Sequence, residues 1–189
     1  MSALEELFTK YGTDKGIWGY TPFYENLMGP RRLGVKKVLE IGICGHRDIP
    51  NNVVGASLFC WKDYFPNATI YGVDNDSRFV FNDQQRIVTR CADAYNDVQM
   101  HEVMEQFGGD FDMIVDDAVH DPGPQAHLFN FLLPFLRPGA HYFIEDFCPY
   151  KMASNTVEEF YPLLDRTISG VEAGRGKTGK PEVLVIAVK

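Results

Sequence analysis

Paired cysteines, a membrane-length apolar run and an excess of basic residues are all missing from this 189-residue sequence. Cys44, Cys60, Cys91 and Cys148 are scattered without a C-x-x-C pair, so neither a zinc site nor a disulfide framework is indicated and reduced thiols are expected. No apolar stretch approaches the roughly 18 residues of a membrane span, and the N-terminus lacks a basic region followed by an apolar core. The expectation is a cytoplasmic protein without a membrane partner. The net charge of −8 opposes a nucleic-acid backbone, because affinity for a polyanion comes from Lys and Arg that release counterions. No nucleic-acid partner is expected, and homo-oligomerisation is left open.

What is present suits one globular domain with an ample core: 45% of residues are hydrophobic and 23% charged. The expectation is a single domain over 1–189, with 1–30 as an N-terminal helical or lid segment. Leu4, Leu7 and Phe8 predict a helix over residues 2 to 10, with Ser2 as N-cap. A loop dense in glycine and aromatics, Thr13 to Tyr20, is of the kind that covers a ligand, and Pro22 to Met28 predicts another helix.

The central stretch is Lys36 to Gly45, in which Val38, Leu39, Ile41 and Ile43 suit a strand buried on both faces. Gly42 and Gly45 then allow the backbone conformations and close approaches that a side chain would block. Helices follow at Ser57 to Phe65, at Asp97 to Phe107 with Asp97 as N-cap, and at Gln125 to Leu136, where Pro134 kinks or shortens the last one. Strands are expected at Thr69 to Val73, Arg86 to Arg90, Phe111 to Val115 and Ala140 to Ile144. Arg137-Pro138-Gly139 reads as a turn. Thr156-Val-Glu-Glu159 opens a final helix, and two closing strands near 166–172 and 182–188 suggest a hairpin. This alternation predicts right-handed β-α-β crossovers and a mostly parallel α/β sheet.

In a parallel sheet the carboxyl ends of the strands share one edge. Glu40-Ile-Gly42, Asp74, Asp116-Asp117 and Glu145-Asp146 should therefore converge there. Asp74, after the second strand, is placed to accept both hydroxyls of a ribose. Asp93, after the third, could bond an adenine amino group or simply shape a turn. Asp117 and His120 address one small volume, and Glu145 and Asp146 arrive beside them. Oxygen donors of this kind suit Mg²⁺ or Mn²⁺ better than zinc, with His120 as general base.

These residues resemble a known family. Val38-Leu-Glu-Ile-Gly-Ile-Cys-Gly45, Trp61 to Asp74, Ile114-Val-Asp-Asp-Ala-Val-His120 and Leu136 to Asp146 are similar to class I S-adenosylmethionine-dependent methyltransferases. More narrowly, together with Tyr11-Gly-Thr-Asp-Lys15, they resemble the metal-dependent O-methyltransferases of macrolide sugar tailoring, the mycinamicin type; related motifs occur in the cephalosporin hydroxylase family. The resemblance implies a Rossmann-like seven-stranded sheet in the order 3-2-1-4-5-7-6 with the last strand antiparallel. It further implies an S-adenosyl-L-methionine site lined by Glu40, Gly42, Asp74 and Asp93, to which Gly45, Asp116, Thr13 and Lys15 are added as cofactor-binding residues. Asp117, Glu145 and Asp146 would hold the metal, with His120, assisted by Asp117, as the catalytic group.

The chain departs from the family where Ala118-Val119 replaces the usual Gly-Ser, and it lacks the His that usually lies near Trp18. The acceptor implied is a hydroxyl of a small molecule such as a sugar or glycosylated natural product, in a pocket walled by Tyr20 to Tyr24, residues 46 to 56 and Phe147 to Asn155. Catechol-type O-methyl transfer, a nicotinamide-dependent oxidoreductase and a non-catalytic S-adenosylmethionine-binding protein are the alternative readings.

Overall fold

The computed structural model describes residues 2–44, 53–148, 160, 162, 168–175 and 181–188. Among these residues, seven strands form one sheet: β1 (Lys37–Ile41), β2 (Thr69–Asp74), β3 (Ile87–Cys91), β4 (Phe111–Asp116), β5 (Leu136–Ile144), β6 (Ile168–Arg175) and β7 (Pro181–Val188). Their order is β3-β2-β1-β4-β5-β7-β6. The first five run parallel, whereas β7 pairs antiparallel with both β5 and β6. This is the Rossmann-like, mostly parallel arrangement with an antiparallel last strand. Among the described residues, no helix is long and apolar enough to cross a membrane.

Among the described residues, five α-helices flank the sheet: α1 (Ala3–Tyr11), α2 (Thr21–Met28), α3 (Ala56–Tyr64), α4 (Asp97–Phe107) and α5 (Pro122–Leu132). They divide the core in two. Leu39, Ile41, Ile114, Tyr142 and Ile144 pack on one face with residues of α4 and α5, while Val38, Met113, Val115 and Phe143 pack on the other with residues of α1, α2 and α3. Because side chains alternate along a strand, neighbouring strand-end residues point to opposite layers. That alternation governs the site.

The N-terminal segment is part of the core. Leu4, Phe8, Tyr20, Tyr24 and Met28 are all buried, and Trp61 of α3 meets Phe8 edge-on at 5.5 Å and Tyr24 at 4.8 Å. Ser2 caps α1 through the Glu5 amide as expected, and Gly12, with φ +74, closes it.

Several local expectations are corrected. The cap of α4 is Asn96, whose side chain accepts from the Val98 and Gln99 amides, so Asp97 is already the first helical residue. The fifth helix begins at Pro122, capped by Asp121, and ends at Leu132 in a 3₁₀ turn, Leu133–Phe135, that carries Pro134. Arg137-Pro138-Gly139 lies within β5, where the register against β4 shifts between Phe111 and Met113. A strand pair with an irregularity tolerates Pro and Gly that a regular central ladder would reject. The helix expected from Thr156 lies outside the described residues.

Candidate active site

At the carboxyl edge of the sheet a cleft of about 400 Å³ runs across the ends of β1, β2, β3 and β4. Gly42, Asp74, Asp93, Tyr95 and Ala118 are among its walls. A second hollow of about 220 Å³ adjoins it and shares Gly42, Cys44, Asp117 and Ala118. Thr13, Lys15, His120 and Asp146 line that second part.

The wall between the two parts needs a glycine. Gly42 takes φ +84, and a Cβ there would collide with the carbonyl oxygen of Asp117. The turns after β1 and β4 can therefore touch: the Asp117 amide bonds Ile41 O at 2.9 Å and the Gly42 amide bonds Val73 O at 2.8 Å. Gly45 lies outside the described residues.

Asp74 fastens this turn to β2. Its Oδ2 accepts from the Ile43 amide at 3.0 Å and the Cys44 amide at 3.2 Å, and its Oδ1 accepts from the Asp76 amide at 3.0 Å. Asp74 itself lines the cleft and is 8% exposed. Asp93 lines the same cleft, with Oδ1 accepting from the Tyr95 amide at 3.0 Å.

Two expected cofactor residues face elsewhere. Asp116 is fully buried, and strand alternation sends its carboxylate into the α4/α5 layer, where it accepts from Tyr142 Oη and the Ala118 amide, both at 3.3 Å. Burial pushes its pKa up to about 7. Glu40 points into the opposite layer, accepts from Trp61 Nε1 at 2.8 Å and is fully buried. Neither lines the cleft.

Around the second hollow, Asp117, His120 and Asp146 each offer a ligand atom, and these atoms all lie within 4.8 Å of one another. His120 Nε2 is 3.3 Å from Asp146 Oδ2 and 3.9 Å from Asp117 Oδ1, and its side chain is 44% exposed. Asp146 holds the left-handed conformation, φ +48, which Asp tolerates better than most side chains.

Glu145, expected beside them, lies one layer below. It shares the face of Phe143 and turns its carboxylate inward, where Lys15 Nζ sits 2.6 Å from Oε2 and Tyr24 Oη donates to Oε1. Lys15, expected at the cofactor, instead faces three carboxylates: Glu145, Asp117 Oδ2 at 2.8 Å and Glu40 Oε1 at 3.0 Å. Burial alone would lower its pKa, but Asp117, Glu145 and Glu40 together hold it well above the usual lysine value.

The tyrosines of the N-terminal segment, which the sequence suggested only as pocket walls, act as hydrogen-bond supports of the strand-end groups. Tyr20 donates to Asp146 Oδ1 at 2.6 Å, and Tyr24 serves Glu145. Their four-residue spacing, one face of a helix, is the sequence signal that pairs them. Tyr95 is a third; its hydroxyl accepts from the Val119 amide at 3.2 Å.

No family model matches the chain. Among curated proteins it is 35% identical over 152 residues to the 8-demethyl-8-(2-methoxy-alpha-L-rhamnosyl)-tetracenomycin-C 3'-O-methyltransferase of Streptomyces olivaceus, a match covering 77% of this chain and 38% of that protein. It is also 35% identical over 146 residues to the L-olivosyl-oleandolide 3-O-methyltransferase of Streptomyces antibioticus, covering 76% and 36%. The chain thus spans little more than a third of the length of these relatives. Among solved structures, the MycE methyltransferase of the mycinamycin pathway, in complex with Mg, SAH and mycinamycin VI, matches with a TM-score of 0.77 and 27% identity over 100% of this chain and 55% of that one. The O-methyltransferase from Bacillus cereus in complex with SAH, at 16% identity and TM-score 0.62, shares the fold.

A β3-β2-β1-β4-β5 parallel core whose strand ends form one cleft, joined to these relationships, makes the chain similar in fold and sequence to the class I S-adenosylmethionine-dependent methyltransferases. Its particular kin are the O-methyltransferases of the tetracenomycin, oleandolide and mycinamicin type.

Proposed function

We propose that this chain is the methyl-transferring domain of an S-adenosylmethionine-dependent O-methyltransferase that acts on a sugar hydroxyl of a glycosylated natural product with a divalent ion, Mg²⁺ or Mn²⁺. The observation that carries this reading is the adjacency of the two hollows: a cleft bounded by Asp74 and Asp93 opens across the Gly42–Asp117 wall onto Asp117, His120 and Asp146. Relatives named for sugar O-methylation and the Mg- and SAH-bound MycE support it.

Asp74 takes the ribose hydroxyls and Asp93 the adenine edge, which leaves the sulfonium end of the cofactor toward Gly42 and Asp117. The donor set fits a hard divalent ion, because carboxylates with one imidazole and no thiolate favour Mg²⁺ or Mn²⁺. Asp117 and Asp146 would hold the ion, with Glu145 directly behind them. When bound, it supplies Lewis acidity that lowers the pKa of an acceptor hydroxyl.

His120 Nε2 takes the hydroxyl proton as the new O–CH₃ bond forms and the S–CH₃ bond breaks, leaving S-adenosylhomocysteine. General-base help of this kind contributes roughly 10²–10⁴-fold. Ala118 and Val119 leave an apolar wall beside the transfer path. The grouping within 4.8 Å also supports a second reading in which His120 is itself a ligand. Manganese binding by His120→Ala separates the two: unchanged affinity with slow turnover assigns the base, and lost affinity assigns the ligand.

The direct test is transfer of a labelled methyl group from S-adenosylmethionine to rhamnosyl- and olivosyl-bearing acceptors, before EDTA, after EDTA and after Mg²⁺ add-back. Full turnover in the chelated protein would remove the ion from the mechanism. No cofactor binding by calorimetry would remove the transferase reading altogether.

A further inference from the structure

Lys15 is 1% exposed, whereas most charged side chains among the described residues reach solvent. Burying an ammonium is costly unless it is fully paired. The turn that carries it does not need the ammonium to hold its shape. The Thr13 amide bonds Phe8 O at 3.1 Å, the Trp18 amide bonds Asp14 O at 2.9 Å and the Tyr20 amide bonds Lys15 O at 3.0 Å. The side chain is spent on Glu40, Asp117 and Glu145 instead.

Three carboxylates around one ammonium leave negative charge in excess when all are ionised, and Glu40 and Glu145 are both buried away from water. Asp146 adds another carboxylate on the open side. A single lysine compensates this cluster only in part. Two of its three partners, Asp117 and Glu145, are also groups that face or back the candidate metal position.

We propose, resting on the metal-dependent reading above, that Lys15 is a built-in cation that stands in for the divalent ion. It holds Glu40, Asp117 and Glu145 together before the ion arrives, and it gives up part of its hold on Asp117 and Glu145 when the ion binds. Lysine and ion are therefore competitors. The N-terminal segment, by delivering Lys15, sets the ion affinity of a site whose carboxylates come from the other end of the sheet.

The test compares Mn²⁺ binding by electron paramagnetic resonance, and melting with EDTA or Mn²⁺, in the full chain and its Lys15→Met variant. Removing a positive charge within hydrogen-bond distance of two site carboxylates should tighten Mn²⁺ binding about tenfold or more. In EDTA the variant should melt below wild type, and Mn²⁺ should raise its midpoint by more than it raises that of wild type. A lysine that merely staples the fold would lower the melting point and leave Mn²⁺ affinity unchanged or weaker. That result, with wild-type binding intact, overturns the exchange alone. A wild-type protein that binds no Mn²⁺ at millimolar ion overturns the metal reading, and the exchange with it. Should Lys15→Met fail to fold, Lys15→Met with Glu40→Gln removes one carboxylate together with the ammonium while sparing Asp117 and Glu145. The same tightening is expected there, and its absence overturns the proposal.

Discussion

The phenol of Tyr20 donates to Asp146 Oδ1 at 2.6 Å across 126 positions of sequence. The other oxygen of Asp146 faces His120 at 3.3 Å, so Tyr20 fixes the orientation in which Asp146 meets the second hollow. Groups that orient a metal ligand from behind typically matter 10–100-fold in affinity. Tyr20→Phe should weaken Mn²⁺ binding by roughly tenfold while leaving S-adenosylmethionine affinity unchanged. Paired titrations of ion and cofactor check this, and a parallel loss of both would show that the tyrosine supports the whole edge rather than Asp146.

Gly42 is the position where a methyl group should do the most damage. With φ +84 and the Asp117 backbone against its Cα, alanine has neither the conformation nor the room. Gly42→Ala should lower stability by about 1–3 kcal/mol, the scale of a strained backbone, and abolish cofactor binding by parting the turns after β1 and β4. Denaturant unfolding and calorimetry read the two effects. A variant that keeps both would mean that the contact is not needed to form the wall.

Asp74 has two jobs, and its variants should reveal both. Besides facing the cleft it holds the Ile43, Cys44 and Asp76 amides. Asp74→Ala should therefore lose about 1–3 kcal/mol of stability, from amides left without their acceptor, as well as cofactor affinity. Asp74→Asn retains one acceptor oxygen and should recover part of the stability. An alanine variant that binds the cofactor like wild type would sink the ribose assignment.

His141 should make the fold acid-sensitive. Burial lowers its pKa below the usual value of 6.5, and Arg31 Nη1, 3.3 Å from Nδ1, lowers it further. A histidine whose folded-state pKa is depressed binds protons more readily when unfolded. Its contribution to stability is therefore complete above about pH 6.5 and declines as pH falls through the folded-state pKa. His141→Gln should flatten the melting-point slope on the acid side of pH 6.5, whereas a slope identical to wild type would assign the acid sensitivity elsewhere.

Much of this architecture is written locally. The Val38-to-Gly42 pattern, the Thr69 and Phe111 strands, the Ser2 cap and the helical spacing in α4 need only neighbouring residues, because periodicity and turn chemistry act over a few positions. Asn96 shows the limit of that reading: the local pattern points to Asp97 as the cap, whereas in the folded chain the Asn96 side chain bends back to the Val98 and Gln99 amides.

The central stretch, Lys36 to Gly42, determined by itself that a buried strand would run into a glycine turn, and the acidic strand ends determined that charge would gather at one edge. Which carboxylates meet there was decided only by tertiary structure. Strand alternation turned Asp116 toward Tyr142 and sent Glu40 and Glu145 to the opposite layer, while Asp117 and Asp146, just past their strands, stayed open to the hollow. Sequence spacing carries no record that Lys15, Tyr20 and Tyr24 would come to serve those groups. That pairing depends on α1 and α2 packing around Trp61, a contact between distant segments that no local pattern encodes.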